Sequence, residues 1–315
     1  VPKIGFVKGH RERKMYGDVS YDMGHLFSSK WNGGSMVNQG FDVVEVTLDQ
    51  DALKDVDLLW IADMRTELTP EEEAALEKYI EQGGNLVFMG EPSHRETQNK
   101  VLNKFFGLEL TPLLVGPDVR FKGSLTANVL AAVPTQRSKE LMYPMKNSYR
   151  IAHENCAGIE EVENKGFKVE ALVSTDTTGP VWTELETTDF VDDTVKFNPT
   201  VGEISKVFNT VVGLTRQVGN REQRIMVTGD ADCLSNNEFV ITRGVSAANV
   251  NLLTGCALWM TSGELPLDMR RPDMKDNSVS VSMAWYRVFK AGFKFGLPIL
   301  LLGIGVFIWF RRRGR

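Results

Sequence analysis

The residues best equipped for chemistry fall in the stretch 229–238, G-D-A-D-C-L-S-N-N-E, directly after the apolar run 224–228, RIMVT. Asp230 and Asp232 flank a single residue there, as carboxylates do in phosphotransferases that pair an aspartyl nucleophile with magnesium. That chemistry wants a Thr or Val two residues beyond the second Asp, but Ser235 stands three beyond, and the pair Asp192-Asp193 comes before it rather than after. Oxygen donors are dense, so Asp230, Asp232 and Asn236 could hold a hard cation. The EF-hand spacing and its central glycine are missing, and Asp and Asn at such a place more often cap turns. No metal is expected.

Other reactive types are scattered. Cys156 lies three residues from His153 in HENCAG, while Cys233 and Cys256 read as small buried apolar residues. Three cysteines are too few for a disulfide scaffold or a structural zinc site. Ser93-His94 are adjacent, and neighbours in sequence need a separate orienting acid to form a catalytic pair. His10-Arg11-Glu12-Arg13-Lys14 is a charged loop that could meet an anionic ligand or partner. There is no G-x-x-x-x-G-K-[ST], so the chain hydrolyses no ATP by a P-loop, and the glycine pairs are too sparse for a dinucleotide fingerprint. No cofactor is implied. With a formal net charge of −5 and no basic excess, nucleic acid is not an expected partner.

The elements that must position these residues alternate. Residues 3–8 (KIGFVK), 41–48 (FDVVEVTL), 56–62 (VDLLWIA) and 85–89 (NLVFM) read as strands. Residues 21–39 have irregular helical spacing. Thr69-Pro70 followed by three glutamates starts a helix that Gly83-Gly84 ends, and 98–106 looks helical up to Gly107. Strands alternating with helices imply a flavodoxin-like, doubly wound α/β domain with a parallel sheet. Its ligand crevice would lie at the carboxyl ends of the strands. Those ends carry His10 and Arg11, Arg65, and Glu91 with His94, the candidate ligand- or partner-binding residues. The region from about 111 to 221 reads as a β-rich insert, with strand-like stretches at 167–173 and 180–185, and 247–261 reads as a helix with Leu252, Leu253, Cys256 and Trp259 on its apolar face.

The tail differs from the body. Residues 266–315 carry ten Lys/Arg against three Asp/Glu, which leaves −12 on residues 1–265. The run 295–310, FGLPILLLGIGVFIWF, spans roughly 24 Å as a helix against about 30 Å of hydrocarbon, so a transmembrane span must recruit residues back to about 286. Arg287, Lys290 and Lys294 then share one face and snorkel to one interface, with Arg311, Arg312 and Arg313 at the other. The expected layout is an extracytoplasmic body (1–265), a linker (266–285), a span (286–310) and a basic cytoplasmic tail (311–315). Export of a body that begins at Val1 implies a further membrane segment or permease upstream.

The order of features resembles the GldG-like auxiliary components of ABC transport systems, a gliding-motility-type family. The pieces are the opening strand with Gly9-His10, residues 40–44 (GFDVV), 56–61 (VDLLWI), 68–72 (LTPEE), 79–86 (YIEQGGNL), 175–182, 224–236, 251–259 and the closing span with its arginines. At the turn after the first strand, Gly9-His10-Arg11-Glu12 departs from the family's Gly-His-Gly-Glu-like pattern. The resemblance implies a class I glutamine-amidotransferase-like domain lacking the nucleophile, in the bacterial inner membrane, partnered by ABC permease and ATPase subunits. It implies a non-enzymatic role. A membrane-tethered hydrolase, or a module for a small molecule, glycan or peptide, is the competing expectation.

Overall fold

Residues Lys3–Val7 (β1), Asp42–Val46 (β2), Leu58–Ala62 (β3) and Asn85–Met89 (β4) form parallel neighbours in the order β2-β1-β3-β4, and Arg221–Thr228 (β12) adds a fifth parallel strand beside β4. All five residues of β3 are buried, which explains its unbroken apolar run: a strand covered on both faces has no polar side to show. Its side chains alternate between two cores. Leu58, Trp60 and Ala62 join Phe6, Phe27 and Met226 on one face, while Leu59 and Ile61 join Leu76, Phe88 and Phe106 on the other. Phe27 meets Phe6 and Trp60 edge-on, at ring-centroid distances of 5.2 and 4.8 Å. The computed structural model describes residues 1–116, 129–141, 150–175, 179–186, 195–240, 248–261 and 283–314.

The helix signals work as their chemistry demands. Thr69 and Glu72 close a reciprocal capping box ahead of Pro70–Glu81 (labelled α3, after the single turns α1, Gly24–Phe27, and α2, Gln50–Leu53). Arg95–Phe106 (α4) ends at Gly107, which takes the left-handed conformation at φ 64°. The irregular spacing over 21–39 gives only α1. Polar side chains there bond the backbone instead: Asn38 Nδ2 donates to the carbonyls of Ser29, Lys30 and Asn32, which holds the segment as a folded loop.

The expectation of a parallel sheet needs correction. Among the described residues seven of the eleven strand pairings are antiparallel. They come from Leu108–Val115 (β5), Val129–Pro134 (β6), Ile151–Glu154 (β7), Ala157–Glu161 (β8), Lys168–Ser174 (β9), Trp182–Thr183 (β10) and Asn209–Val218 (β11). The β-rich middle does not sit apart from the parallel strands; β11 pairs with β12 along eight residues and joins the two halves into one twelve-stranded sheet. The turn is the two residues Gly219-Asn220, with Gly219 at φ 58°. Asn237–Val240 (α6) follows α5 (Gln136–Leu141), and Asn249–Met260 (α7) buries Leu252, Leu253, Cys256 and Trp259.

The chain divides into two units, Val1–Asp268 and Met269–Arg315. In the second, a helix runs through Met283–Ala291 and Leu297–Arg313 with a π-helical turn, Gly292–Gly296, between them. Ala284–Arg313 is long and apolar enough to cross a membrane, and its apolar window is not buried in the protein. The expected linker lies outside the described residues up to 282, and its last three residues are helical.

Candidate functional site

The strand order reverses between β1 and β3, so the loops after these strands leave an opening at their carboxyl ends. The loop after β1 enters it. The Arg13 N–H donates to the Ala62 carbonyl at the end of β3. From there its guanidinium reaches acids beyond three other strands. Nε stands 3.1 Å from Asp63 Oδ2, and Nη2 stands 2.7 Å from Asp232 Oδ1 and 3.8 Å from Glu91 Oε2. These residues follow β3, β12 and β4. All three acids are buried, and the Arg13 side chain is 10% exposed.

Asp63 is the most heavily used acid. It has a left-handed backbone, φ 57°, in which a non-glycine residue is strained. Arg65 donates to its Oδ2 from Nε and Nη2 at 2.9 and 2.7 Å, and His94 Nδ1 lies 2.7 Å from its Oδ1. Gln98 Nε2 donates to the same Oδ1 at 3.3 Å. Asp230 is hydrogen-bonded as well. Its Oδ1 accepts from the N–H groups of Asp232 and Cys233, and its Oδ2 accepts from the Glu154 N–H at 2.9 Å and faces His153 Nδ1 at 3.1 Å. Asp230 therefore caps its own turn and ties it to the end of β7. Among the described residues, Oε2 of Glu91 accepts no hydrogen bond. Burial, then the charges of Asp232, Asp230 and Asp63, push the Glu91 carboxyl up to about 10, against the pull of Arg13. Burial first, and then Asp230, push Asp232 up to about 8.

Of the residues expected from sequence, Glu91, Arg65, His94, Asp230 and Asp232 come together here. His10 does not join them. It is buried, with Nδ1 3.2 Å from Glu12 Oε1 and Nε2 3.1 Å from Glu72 Oε2, so it braces the first turn of α3. Arg11 is exposed at φ 59°. Asn236 clamps loops: its Nδ2 donates to the carbonyls of Gly17 and Val19, and its Oδ1 accepts from the His25 N–H. Arg287, Lys290, Lys294, Arg311, Arg312 and Arg313 all project from the C-terminal helix, and Lys294 and Arg313 lie over the rings of Phe295 and Trp309.

The arrangement argues against two catalytic schemes. Ser93 Oγ approaches His94 through Nδ1, at 3.3 Å, the same nitrogen that meets Asp63. A serine relay needs the acid on one ring nitrogen and the hydroxyl on the other. Cys156, Cys233 and Cys256 are buried, and burial raises all three thiols, which opposes formation of a nucleophilic thiolate. The ion pairs of Arg13 lie at the carboxyl-end opening. A cavity of about 1020 Å³ lies instead at the amino ends of the parallel strands, against Ile4, Leu58, Asn85, Arg221 and Met260.

From sequence, Arg13 appears only as one member of the charged loop 10–14, His153 only as the neighbour of Cys156, and Asp63 only as a residue at the end of a strand. Asp63 had a signal, since it directly follows an apolar run at a strand's carboxyl end. Arg13 had none, because nothing local separates it from Arg11 or Lys14.

Residues 1–145 match a family described as an ABC-type uncharacterized transport system, ABC_transp_aux. The match, over less than half of the chain, supports the auxiliary ABC transport component expected from sequence; nothing in it is particular to the gliding-motility type. No curated protein sequence matches the chain. Among solved structures, the mmIFT52 N-terminal domain is similar at a TM-score of 0.51 and 13% identity, covering 84% of this chain and 100% of its own. A ThuA-like protein from Bacteroides uniformis is similar at a TM-score of 0.47 and 14% identity, covering 83% and 91%. At such identities the likeness concerns the fold alone.

Proposed function

We propose that this chain is a non-enzymatic, membrane-anchored accessory subunit of an ABC transporter. Its flavodoxin-like, amidotransferase-like body stands outside the cytoplasm and binds or gates substrate or partner proteins beside the permease, while a separate subunit hydrolyses ATP. The observation that carries this reading is the 30-residue helix Ala284–Arg313, with no part of its apolar window buried, in a chain whose first 145 residues match an ABC auxiliary family. A helix that is apolar on every side and finds no protein cover is suited to lipid. The cluster Arg311, Arg312 and Arg313 favours a cytoplasmic tail in a bacterial inner membrane. The lack of a hydrolytic relay at Ser93, His94 and Asp63 supports a non-enzymatic role, and burial of the three cysteines agrees with it.

The test is extraction of the full chain from its native membrane in mild detergent. Copurification with a permease and an ATPase in fixed ratio is expected. Recovery of the chain in the soluble fraction after cell lysis, or as a lone species in every detergent tried, overturns the proposal. Protease applied to intact spheroplasts should digest the body and spare the last residues.

A further inference from the structure

The cluster around Arg13 contains more buried carboxyl groups, Asp63, Glu91, Asp230 and Asp232, than the two guanidinium groups of Arg13 and Arg65 can pair. Asp63 is matched by Arg65. Of the three remaining acids, Glu91 and Asp232 face the single charge of Arg13, and Asp230 faces His153 Nδ1. With His153 neutral and all three acids ionised, two negative charges are left over, the complement of one divalent ion. One oxygen from each of these carboxylates lies within 4.8 Å of the others, and all three residues are buried. Separately, the Glu91 side chain is 7% exposed, yet Oε2 accepts no hydrogen bond, and its nearest cation, Arg13 Nη2, is 3.8 Å away. Buried polar atoms in folded proteins are ordinarily satisfied by protein, water or an ion. A second such atom belongs to His153, which is wholly buried, directs Nδ1 at Asp230 and has no hydrogen-bond partner for Nε2 among the described residues.

We propose that Glu91, Asp230 and Asp232 form a binding site for one divalent cation of the oxygen-preferring class, Mg²⁺, Mn²⁺ or Ca²⁺. The donors are all carboxylate oxygens, which suits hard cations over thiolate-seeking metals. They come from two parallel strands, β4 and β12, so the ion pins two loops at the carboxyl edge of the sheet. His153 acts on the site through Asp230. It orients that carboxylate as an outer-shell partner does, and is a positioning residue. Asn236, grouped with the two aspartates on sequence grounds, is committed to Gly17, Val19 and His25 and is not a ligand. Arg13 offsets the third of these negative charges, with its Nε beside Asp63. This inference is independent of the transport reading, since it concerns the body's own chemistry.

The experiment uses the full chain in mild detergent, stripped with a chelator and titrated separately with MnCl₂, MgCl₂ and CaCl₂ by calorimetry, with Mn²⁺ also followed by electron paramagnetic resonance. Saturable binding of one ion per chain is expected for at least one of the three. Glu91→Gln and Asp232→Asn, which conserve volume, should each weaken it by more than about tenfold. Asp55→Asn, at an exposed acid beside the amino-end cavity, should leave it unchanged. Thermal melting confirms that each variant is folded. Folded wild-type protein that binds none of the three ions overturns the proposal, and so does binding that both site variants leave intact.

Discussion

Arg13 Nη2 lies 2.7 Å from Asp232 Oδ1, and this one ion pair joins the loop after β1 to the loop after β12, the first and last strands among the described residues. The partners are separated by more than two hundred residues, yet both occupy the carboxyl edge of a single sheet. Because the pair is buried and the same guanidinium also serves Asp63, removing it strands charge in the interior. Arg13→Met should lower the stability of the body by about 3–5 kcal/mol, the usual cost of breaking a buried ion pair by deleting one partner. Arg13→Lys should recover part of this loss, since a point charge cannot span Asp63 and Asp232 as the planar fork does. Chemical denaturation followed by tryptophan fluorescence measures both. Equal stability of Arg13→Met and wild type would refute the account.

A second buried acid sets a pH dependence away from that cluster. Glu184 is raised above its usual range by burial, and its hydrogen bond with Glu203 adds to the rise. An acid with a raised folded pKa binds its proton more tightly folded than unfolded, so its contribution to stability is complete below the unfolded pKa and is lost as pH rises through the folded one. Stability should therefore decline from about pH 4.5 upward in the part due to this group. Glu184→Gln should flatten that decline. Melting temperatures across pH 4–8 for the two proteins provide the comparison.

Gly229 has no room for a side chain. A Cβ there would stand 2.0 Å from the Ala157 carbonyl oxygen, while the backbone of Gly229 bonds Thr210 and Ala157. Gly229→Ala should cost at least about 1–3 kcal/mol, as overpacking against a fixed backbone does. It should also displace Asp230, the next residue. A melting curve for the variant tests the first expectation, and weaker Mn²⁺ binding tests the second.

Ser93 should be dispensable. Its hydroxyl meets the one nitrogen of His94 already committed to Asp63, so it gains no base. Ser93→Ala is expected to change stability by less than about 0.5 kcal/mol and to leave transport by the assembled system unchanged. Loss of transport in a folded Ser93→Ala protein would revive a hydrolytic role.

The parallel strands and their helices were legible because their signals are local. A buried strand shows as an apolar run, and a capping box needs only the four residues from Thr69 to Glu72. The antiparallel half was hidden for the opposite reason. Which strand β11 pairs with is decided by residues far away in sequence, although its turn, Val-Gly-Asn-Arg, did carry a two-residue hairpin signal. The site was half visible. Asp230, Asp232 and Glu91 announced themselves as acids at strand ends, but nothing in a string of residues says that Arg13 rather than Arg11 turns inward. That choice follows from the backbone of the loop, where Gly9 and Arg11 both take positive φ.

The C-terminal helix, with its π-helical turn at Gly292–Gly296, has a mechanical consequence. Thirty residues make a rod about 45 Å long, whereas the oily slab of a bilayer is about 30 Å thick. As a membrane span the rod would have roughly 15 Å to spare, shared between the stretch bearing Arg287 and Lys290 and the arginines 311–313 at its other end. It would then have room to slide or lean by several ångströms, with cationic side chains regripping the headgroups, so its hold would behave as a sprung tether and not as a fixed bolt.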